Sequence, residues 1–119
     1  ERRKESLMPT PHAQLIHDVR LALGREIDVL LWPNVNAVLE SDGRKMRTGM
    51  TPGASDLVGV GPGGCFLAIE VKAGHDNVKP HQQRFIDLVE KRGGTAGVAR
   101  SVEDAWSIVR RAREKDRGE

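Results

Sequence analysis

Aromatic residues are scarce in this sequence of 119 residues, which contains no tyrosine, two tryptophans and two phenylalanines. A protein that binds single strands by stacking bases on aromatic rings is therefore not expected, and aliphatic residues must form the core. The single cysteine, Cys65, excludes an internal disulfide and a zinc site with several cysteines, and we expect it to be buried in a strand. No apolar run approaches the length of a membrane span and no secretory signal is visible, so we predict a cytoplasmic protein without a membrane partner.

Neither sign of charge is in large excess, because 19 Lys and Arg residues face 17 Asp and Glu residues, giving a net charge of +2. This mildly basic balance is compatible with an anionic partner but does not require one. The length indicates a single domain. We predict a flexible basic arm over residues 1–9, the folded domain over residues 10–114 and a charged tail over residues 115–119.

Helical and strand patterns alternate along the chain. Three helices are predicted: one from Pro11 to Gly24 with Thr10 as its N-cap, one from Pro80 to about Arg92, and one that begins after Ser101. Strands are predicted over residues 27–39 with a break at Pro33-Asn34, and over residues 57–60, 65–72 and 95–100. A hairpin turn at residues 41–44 leads into residues 45–47, which return with alternating polar residues. We interpret the chain as an α/β domain of order α-β-β-β-α-β-α, in which helices cover the faces of a sheet.

Two strands separated by the turn 61–64 are predicted to form a hairpin that brings three charged residues together. If the loop has three residues, Asp56 falls opposite Glu70, and directly opposed residues have Cβ atoms about 5 Å apart. Because side chains alternate along a strand, Lys72 lies on the same face as Glu70. The sequence therefore predicts a cluster of two carboxylates and one ammonium group.

The cluster suits metal-assisted hydrolysis of a phosphodiester bond. Two adjacent carboxylates repel each other unless positive charge lies between them, and a divalent cation with oxygen ligands supplies that charge. We predict that Asp56, Glu70 and the backbone carbonyl of Val71 bind Mg²⁺ or Mn²⁺, which would acidify a bound water and stabilise charge on phosphate. Lys72 is predicted to orient the water or to stabilise developing charge. The alternative is that Glu70 and Lys72 form an ordinary surface ion pair.

Further polar residues could contact phosphate or nucleic acid. Gln82, in the first turn of the second helix, either binds a water or phosphate near the carboxylates or is simply exposed. His12 and His17 are five residues apart, which is not the spacing of a helical metal pair, so we interpret both as surface histidines. A basic hairpin tip either contacts phosphate or is a solvated edge, and the asparagines either reach nucleic acid or bind local backbone. The predicted nucleic-acid contacts are Arg44, Lys45, Arg47, Asn34, Asn36, Ser55 and Lys79.

Several short stretches follow one another in a characteristic order: Trp32-Pro33-Asn34, Gly53-Ala54-Ser55-Asp56-Leu57, Phe66-Leu67-Ala68-Ile69-Glu70-Val71-Lys72, Pro80-His81-Gln82-Gln83-Arg84-Phe85, Gly93-Gly94 and Val98-Ala99-Arg100-Ser101. In this order they resemble the PD-(D/E)xK nuclease superfamily and, more narrowly, the virus-type replication-repair nuclease domain (VRR-NUC). The resemblance extends from about Thr10 to Ile108. It implies a restriction-endonuclease-like α/β fold with a mixed sheet flanked by helices.

The resemblance also implies a DNA nuclease dependent on Mg²⁺ or Mn²⁺. It carries metal roles onto Asp56 and Glu70, a catalytic role onto Lys72 and a supporting role onto Gln82. Many members place a glutamate in the first helix, where this chain offers His12 and Gln14. Stand-alone members of this size are similar to virus-encoded enzymes of DNA recombination and repair, which cut four-way (Holliday) junctions as homodimers.

Three alternatives remain open at this stage. Fused members of the family act on flaps, so a flap or another branched DNA is a second substrate class. A catalytically weak DNA-binding module on the same scaffold is motivated by the missing first-helix glutamate. A sequence-specific restriction-type enzyme is less favoured, because 119 residues show no separate recognition region.

Overall fold

The computed structural model describes residues 8–35, 38–47 and 49–119, with only the backbone of Arg47. Within them lie three helices, six strands and one short 3-10 turn: α1 (Pro11–Leu23), β1 (Leu30–Pro33), β2 (Val38–Ser41), β3 (Arg44–Arg47), β4 (Leu57–Val60), the turn Pro62–Gly64, β5 (Phe66–Val71), α2 (Pro80–Lys91), β6 (Thr95–Ala99) and α3 (Val102–Arg117). Residues 1–7 of the predicted arm, Asn36 and the Arg47 side chain lie outside the described part. No helix in the described ranges combines the length and apolarity that a membrane crossing needs.

Capping residues set the helix ends much as the sequence predicts. The Thr10 hydroxyl accepts a hydrogen bond from the Ala13 amide at 3.0 Å, and Gly24 ends α1. The Ser101 hydroxyl accepts one from the Asp104 amide at 3.1 Å and begins α3. These caps satisfy backbone groups that have no partner within the helix, so they define where each helix starts.

The main sheet has the strand order β1-β4-β5-β6. β1 pairs antiparallel with β4, β4 pairs antiparallel with β5, and β5 pairs parallel with β6 through the crossover helix α2. β5 is therefore a central strand with partners on both sides. When the β2–β3 hairpin is left out, the remaining elements follow the predicted order α-β-β-β-α-β-α. The predicted mixed sheet flanked by helices is also confirmed.

Helices cover both faces of this sheet. On one face, α1 and α3 pack over the apolar side of β5, forming a core of Val19, Leu23, Val29, Leu57, Leu67, Ile69, Val71, Ala99, Ala105, Ile108, Val109 and Ala112. On the other face, α2 packs over a smaller cluster of Val58, Ala68, Ile86 and Ala96. Because side chains alternate along a strand, Glu70 lies on the α2 side together with Ala68.

The first strand is shorter than predicted. It begins at Leu30, and Ile27 is fully exposed in a turn rather than in a strand. The cause is Arg113 of α3, which donates hydrogen bonds to Glu26 at 2.6 Å and to Asp28 at 2.9 Å. These ion pairs hold the segment before β1 against α3, away from the sheet.

The β2–β3 hairpin forms a sheet of its own. Its two-residue turn, Asp42-Gly43, has positive φ at both positions, which matches the right-handed twist of the paired strands. The prediction of one strand running through residues 27–39 is therefore wrong, since β1 and β2 belong to different sheets. The hairpin tip is exposed, as predicted for a basic tip at Arg44 and Lys45.

One further expectation, the burial of Cys65, is corrected at the chain's periphery. Cys65 is exposed rather than buried, because it lies between the 3-10 turn and β5 at the end of the hairpin. α3 continues to Arg117, so it includes the first three residues of the predicted charged tail. Lys115, one of these residues, donates hydrogen bonds to Glu90 at 2.7 Å and to the Gly94 carbonyl at 2.9 Å.

Glu90 joins α2 to β6 and α3. Its carboxylate accepts hydrogen bonds from Arg111 at 2.6 Å, from Lys115 at 2.7 Å and from the Ala96 amide at 2.8 Å. Burial disfavours the charged form of Glu90, but these hydrogen bonds outweigh that effect and lower its pKa from 4.5 to about 2. The ionised carboxylate therefore stabilises the fold.

Replacing Glu90 with Gln is expected to lower the free energy of unfolding at neutral pH by about 1–3 kcal/mol, the range for charge-assisted hydrogen bonds. Since the pKa is lower in the folded protein, the stabilisation is complete above 4.5 and is lost as pH falls towards 2. Urea unfolding at about pH 7 and about pH 3 should thus show a difference that shrinks in acid. Glu114→Gln, an exposed change on α3, is the control. An equal difference at both pH values would contradict this role of the charge.

Candidate active site

The β4–β5 hairpin has the predicted register. Leu57 pairs with Ile69 and Val60 pairs with Phe66, and the Gly61 amide donates to the Cys65 carbonyl at 2.7 Å beside the turn. One residue beyond the Leu57–Ile69 pair, Asp56 comes opposite Glu70. The Pro-Gly-Gly turn thus aligns the two carboxylates that the sequence predicts as a pair.

Glu70 and Lys72 lie deep in the protein for charged residues. Glu70 is 3% exposed and Lys72 is 7% exposed, which excludes the alternative of an ordinary surface ion pair. The Lys72 Nζ lies 3.6 Å from Glu70 Oε2. The Lys72 amide donates to the Ala99 carbonyl at 3.0 Å, so the backbone of Lys72 extends the ladder between β5 and β6. Burial of a charged pair is costly and points to a functional role.

Asp56 is oriented by the neighbouring strand. Its Oδ2 accepts a hydrogen bond from the Val71 amide at 2.8 Å. The Asp56 carbonyl accepts a hydrogen bond from the Asn34 amide at 2.8 Å. The side chain of Asn34 makes two more hydrogen bonds: its Nδ2 donates to the Ser55 carbonyl at 3.3 Å, and its Oδ1 accepts from the Met50 amide at 3.1 Å. These contacts fix the backbone before β4 and hold the Asp56 carboxylate beside β5.

Burial and neighbouring negative charge both disfavour the ionised form of Glu70. Burial of the Glu70 carboxylate, followed by the nearby negative charge of Asp56, raises the pKa of Glu70 from 4.5 to about 7. Lys72 opposes this rise but does not cancel it. With both carboxylates ionised and Lys72 positive, the three side chains carry one net negative charge, which favours binding of a cation.

His12 is the site residue that sequence reasoning missed. Its Nε2 lies 3.0 Å from the Val71 carbonyl oxygen and 3.4 Å from Asp56 Oδ2. The side chain is partly exposed, at 41%. His12 is therefore at the surface, as interpreted, but it also contacts the site. The available signal was its place in the first turn of the first helix, where the family that the sequence resembles often has a glutamate.

The donor set fits a divalent cation. The imidazole Nε2 of His12 lies within 3.4 Å of both a carboxylate oxygen of Asp56 and the Val71 carbonyl oxygen, and Glu70 lies opposite Asp56. Among the described residues, no three His, Cys, Asp or Glu side chains are gathered around one point as a complete metal site. The Glu70 carboxylate lies beside Lys72, with Oε2 3.6 Å from Nζ, and also interacts with Asp56.

The predicted supporting residue Gln82 has a local role in the structure. Its Oε1 accepts a hydrogen bond from the Lys79 amide at 2.9 Å, which caps the start of α2. In the described part of the chain, no hydrogen bond joins Gln82 to Asp56 or Glu70. The start of α2 is nevertheless near the site loop, because a Cβ on Gly53 would lie 2.4 Å from the His81 carbonyl oxygen.

The predicted nucleic-acid contacts differ in accessibility. Lys79, Arg44 and Lys45 are exposed. Ser55 is completely buried, and its hydroxyl has no hydrogen-bond partner among the described residues, so it could touch DNA only if its loop opened. Asn34 binds local backbone, which was one of the two roles that the sequence left open. The predictions for Asn36 and for the Arg47 side chain fall outside the described residues.

Comparison with known proteins identifies one family. A family model described as the VRR-NUC domain matches residues 13–103, which is well over half of the chain. The match includes Asp56, Glu70, Lys72 and Gln82, and it begins one residue after His12. No curated protein matches the chain.

Proposed function

The chain belongs to the VRR-NUC family of nuclease domains, which act on DNA, and we propose that it is a metal-dependent endonuclease for branched double-stranded DNA. The observation that carries this proposal is the alignment of Asp56 opposite Glu70, with buried Lys72 on the same face and the Val71 carbonyl alongside. The fold places all four groups at one end of the β4–β5 hairpin.

Each residue of this site has a separate task in the proposed reaction. Asp56, Glu70 and the Val71 carbonyl would hold Mg²⁺ or Mn²⁺, and the chemistry such an ion supplies is acidification of water and neutralisation of charge on the scissile phosphate. Lys72 would orient the attacking water or stabilise the negative charge that develops on phosphate oxygens. Its burial beside Glu70 keeps the ammonium in one position.

DNA would approach the site from the side where the loops meet. The loop before Asp56, the start of α2 with Lys79 and the first turn of α1 all lie near the carboxylates. Lys79 would contact phosphate beside the site, and Arg44 and Lys45 would contact it further away on their hairpin. Gln82 would help to hold the scissile phosphate or its water once DNA draws it away from the Lys79 amide.

A four-way junction is the favoured substrate within this class. Symmetric cuts on two strands require two sites, and a twofold homodimer supplies them. In the described residues β1 is an edge strand of the main sheet, and Leu30 on it is 62% exposed. An apolar edge of this kind suits coverage by a second copy of the chain.

The proposal is tested by cleavage of three labelled DNAs: a four-way junction, a flap and a plain duplex, each with Mg²⁺, Mn²⁺ or EDTA. We expect paired cuts near the junction centre that require a metal, with little cutting of plain duplex. Flap cleavage alone would keep the nuclease and replace the junction as substrate. Tight junction binding without cleavage in either metal would support the DNA-binding module and overturn the proposed reaction.

A further inference from the structure

We propose that His12 is a nitrogen ligand of the metal site and that it biases the site towards Mn²⁺ over Mg²⁺. This inference rests on the proposed nuclease function, because it concerns the cation of the same site. The family match itself gives His12 no role, since the matched region starts at residue 13.

The first argument is geometric. In an octahedral site with bonds of about 2.1 Å, neighbouring ligand atoms are about 3 Å apart. The Nε2 of His12 is 3.0 Å from the Val71 oxygen and 3.4 Å from Asp56 Oδ2. The two distances from Nε2 to these oxygens are thus close to those between neighbouring ligands of one cation.

The second argument is that each of these atoms is held in place by the fold. Asp56 Oδ2 is held by the Val71 amide at 2.8 Å. The Val71 oxygen belongs to the central strand β5, which has partners on both sides. His12 lies in the first turn of α1, which the Thr10 cap fixes. Once the imidazole proton moves from Nε2 to Nδ1, little further reorganisation would be needed for the three atoms to share a cation, which favours binding.

The third argument concerns the chemistry of the ligands. Mg²⁺ is a hard cation that binds oxygen and keeps much of its water. Imidazole nitrogen is a softer ligand, and Mn²⁺, although it also prefers oxygen, accepts nitrogen more readily than Mg²⁺ does because it is a transition metal. A site with carboxylate, carbonyl and imidazole donors therefore gains more from Mn²⁺ than an all-oxygen site would.

Pulsed electron paramagnetic resonance of bound Mn²⁺ tests the ligation directly, because a coordinated imidazole nitrogen modulates the electron spin echo. We expect this nitrogen signal in the wild-type protein and its loss in His12→Gln. His17→Gln is the matched control, since His17 is exposed on the same helix. Thermal unfolding without metal checks that all three proteins fold.

Metal affinity gives the second readout. We expect His12→Gln to weaken Mn²⁺ binding about ten- to a hundredfold, the range known for losing a residue that supports a metal ligand. Metal titrations monitored by the unfolding temperature measure this affinity. Replacing His12 with Glu supplies an oxygen instead, so we expect the preference for Mn²⁺ over Mg²⁺ to fall about tenfold or more.

The outcomes separate the inference from the proposed function. Mn²⁺ bound at Asp56 without a nitrogen signal, or with the same signal in His12→Gln, overturns the role of His12 and leaves the nuclease intact. Failure of Mn²⁺ to bind the wild-type protein overturns the metal site and with it the proposed function. An unchanged metal preference in His12→Glu also counts against the inference.

Discussion

Replacing Asp56 with Asn is expected to lower DNA cleavage by about a thousandfold or more, which corresponds to several kcal/mol of lost transition-state stabilisation. The substitution keeps the shape of the side chain and an oxygen that can accept from the Val71 amide. It removes the charge that binds the cation. Because it also removes repulsion with Glu70, the folded protein should be at least as stable as the wild type.

Single-turnover cleavage of the preferred branched DNA measures the loss, and thermal unfolding with and without Mn²⁺ measures the cation's contribution. The metal-induced rise in unfolding temperature should disappear in the variant. Asp87→Asn is the control, since Asp87 is an exposed carboxylate on α2. Cleavage by Asp56→Asn within about tenfold of wild type would show that the cation does not depend on this carboxylate.

Replacing Lys72 with Met is expected to lower the cleavage rate by about a hundred- to a thousandfold, the effect of removing one preorganised charge-stabilising group. DNA binding should change little, because Lys72 is 7% exposed and is not available to a distant phosphate. Lys72→Arg should not restore the rate. A planar guanidinium does not fit the position of a compact ammonium, and the buried pocket leaves little room for it.

Single-turnover rates at saturating DNA separate this effect from binding, which is measured by titration in Ca²⁺ or EDTA. Lys91→Met, an exposed change at the end of α2, is the matched control. A variant that loses DNA affinity while keeping its rate at saturation would assign Lys72 to binding instead of catalysis.

Local sequence patterns predict much of this site because the residues involved are close together along the chain. The Gly61–Gly64 turn fixes the hairpin register, and the register alone places Asp56 opposite Glu70. Alternation along β5 then places Lys72 beside them. The helix ends were predictable for the same reason, since Thr10 and Ser101 act on backbone groups within three residues.

Contacts between distant segments were not predictable in this way. His12 reaches Val71 across 59 positions of sequence, because α1 packs on the main sheet. The spacing between His12 and His17 indicates only whether these two residues could bind a metal together from one helix. Gln82 was assigned to the site from its position, but the nearer Lys79 amide engages it as a cap. Ile27 fits a strand pattern, yet ion pairs of Arg113 with its neighbours hold that segment out of the sheet.

The exposed thiol at the end of the β4–β5 hairpin has a practical consequence. Cys65 is the single cysteine of the sequence, and the length of the hairpin separates it from Asp56 and Glu70. A spin label or fluorophore can therefore be attached at one defined position without altering the site. Two labelled copies on one branched DNA would give a measurable label-to-label distance, whereas one copy would give none. The number of copies bound to one DNA can thus be determined from a distance measurement without changing the amino-acid sequence.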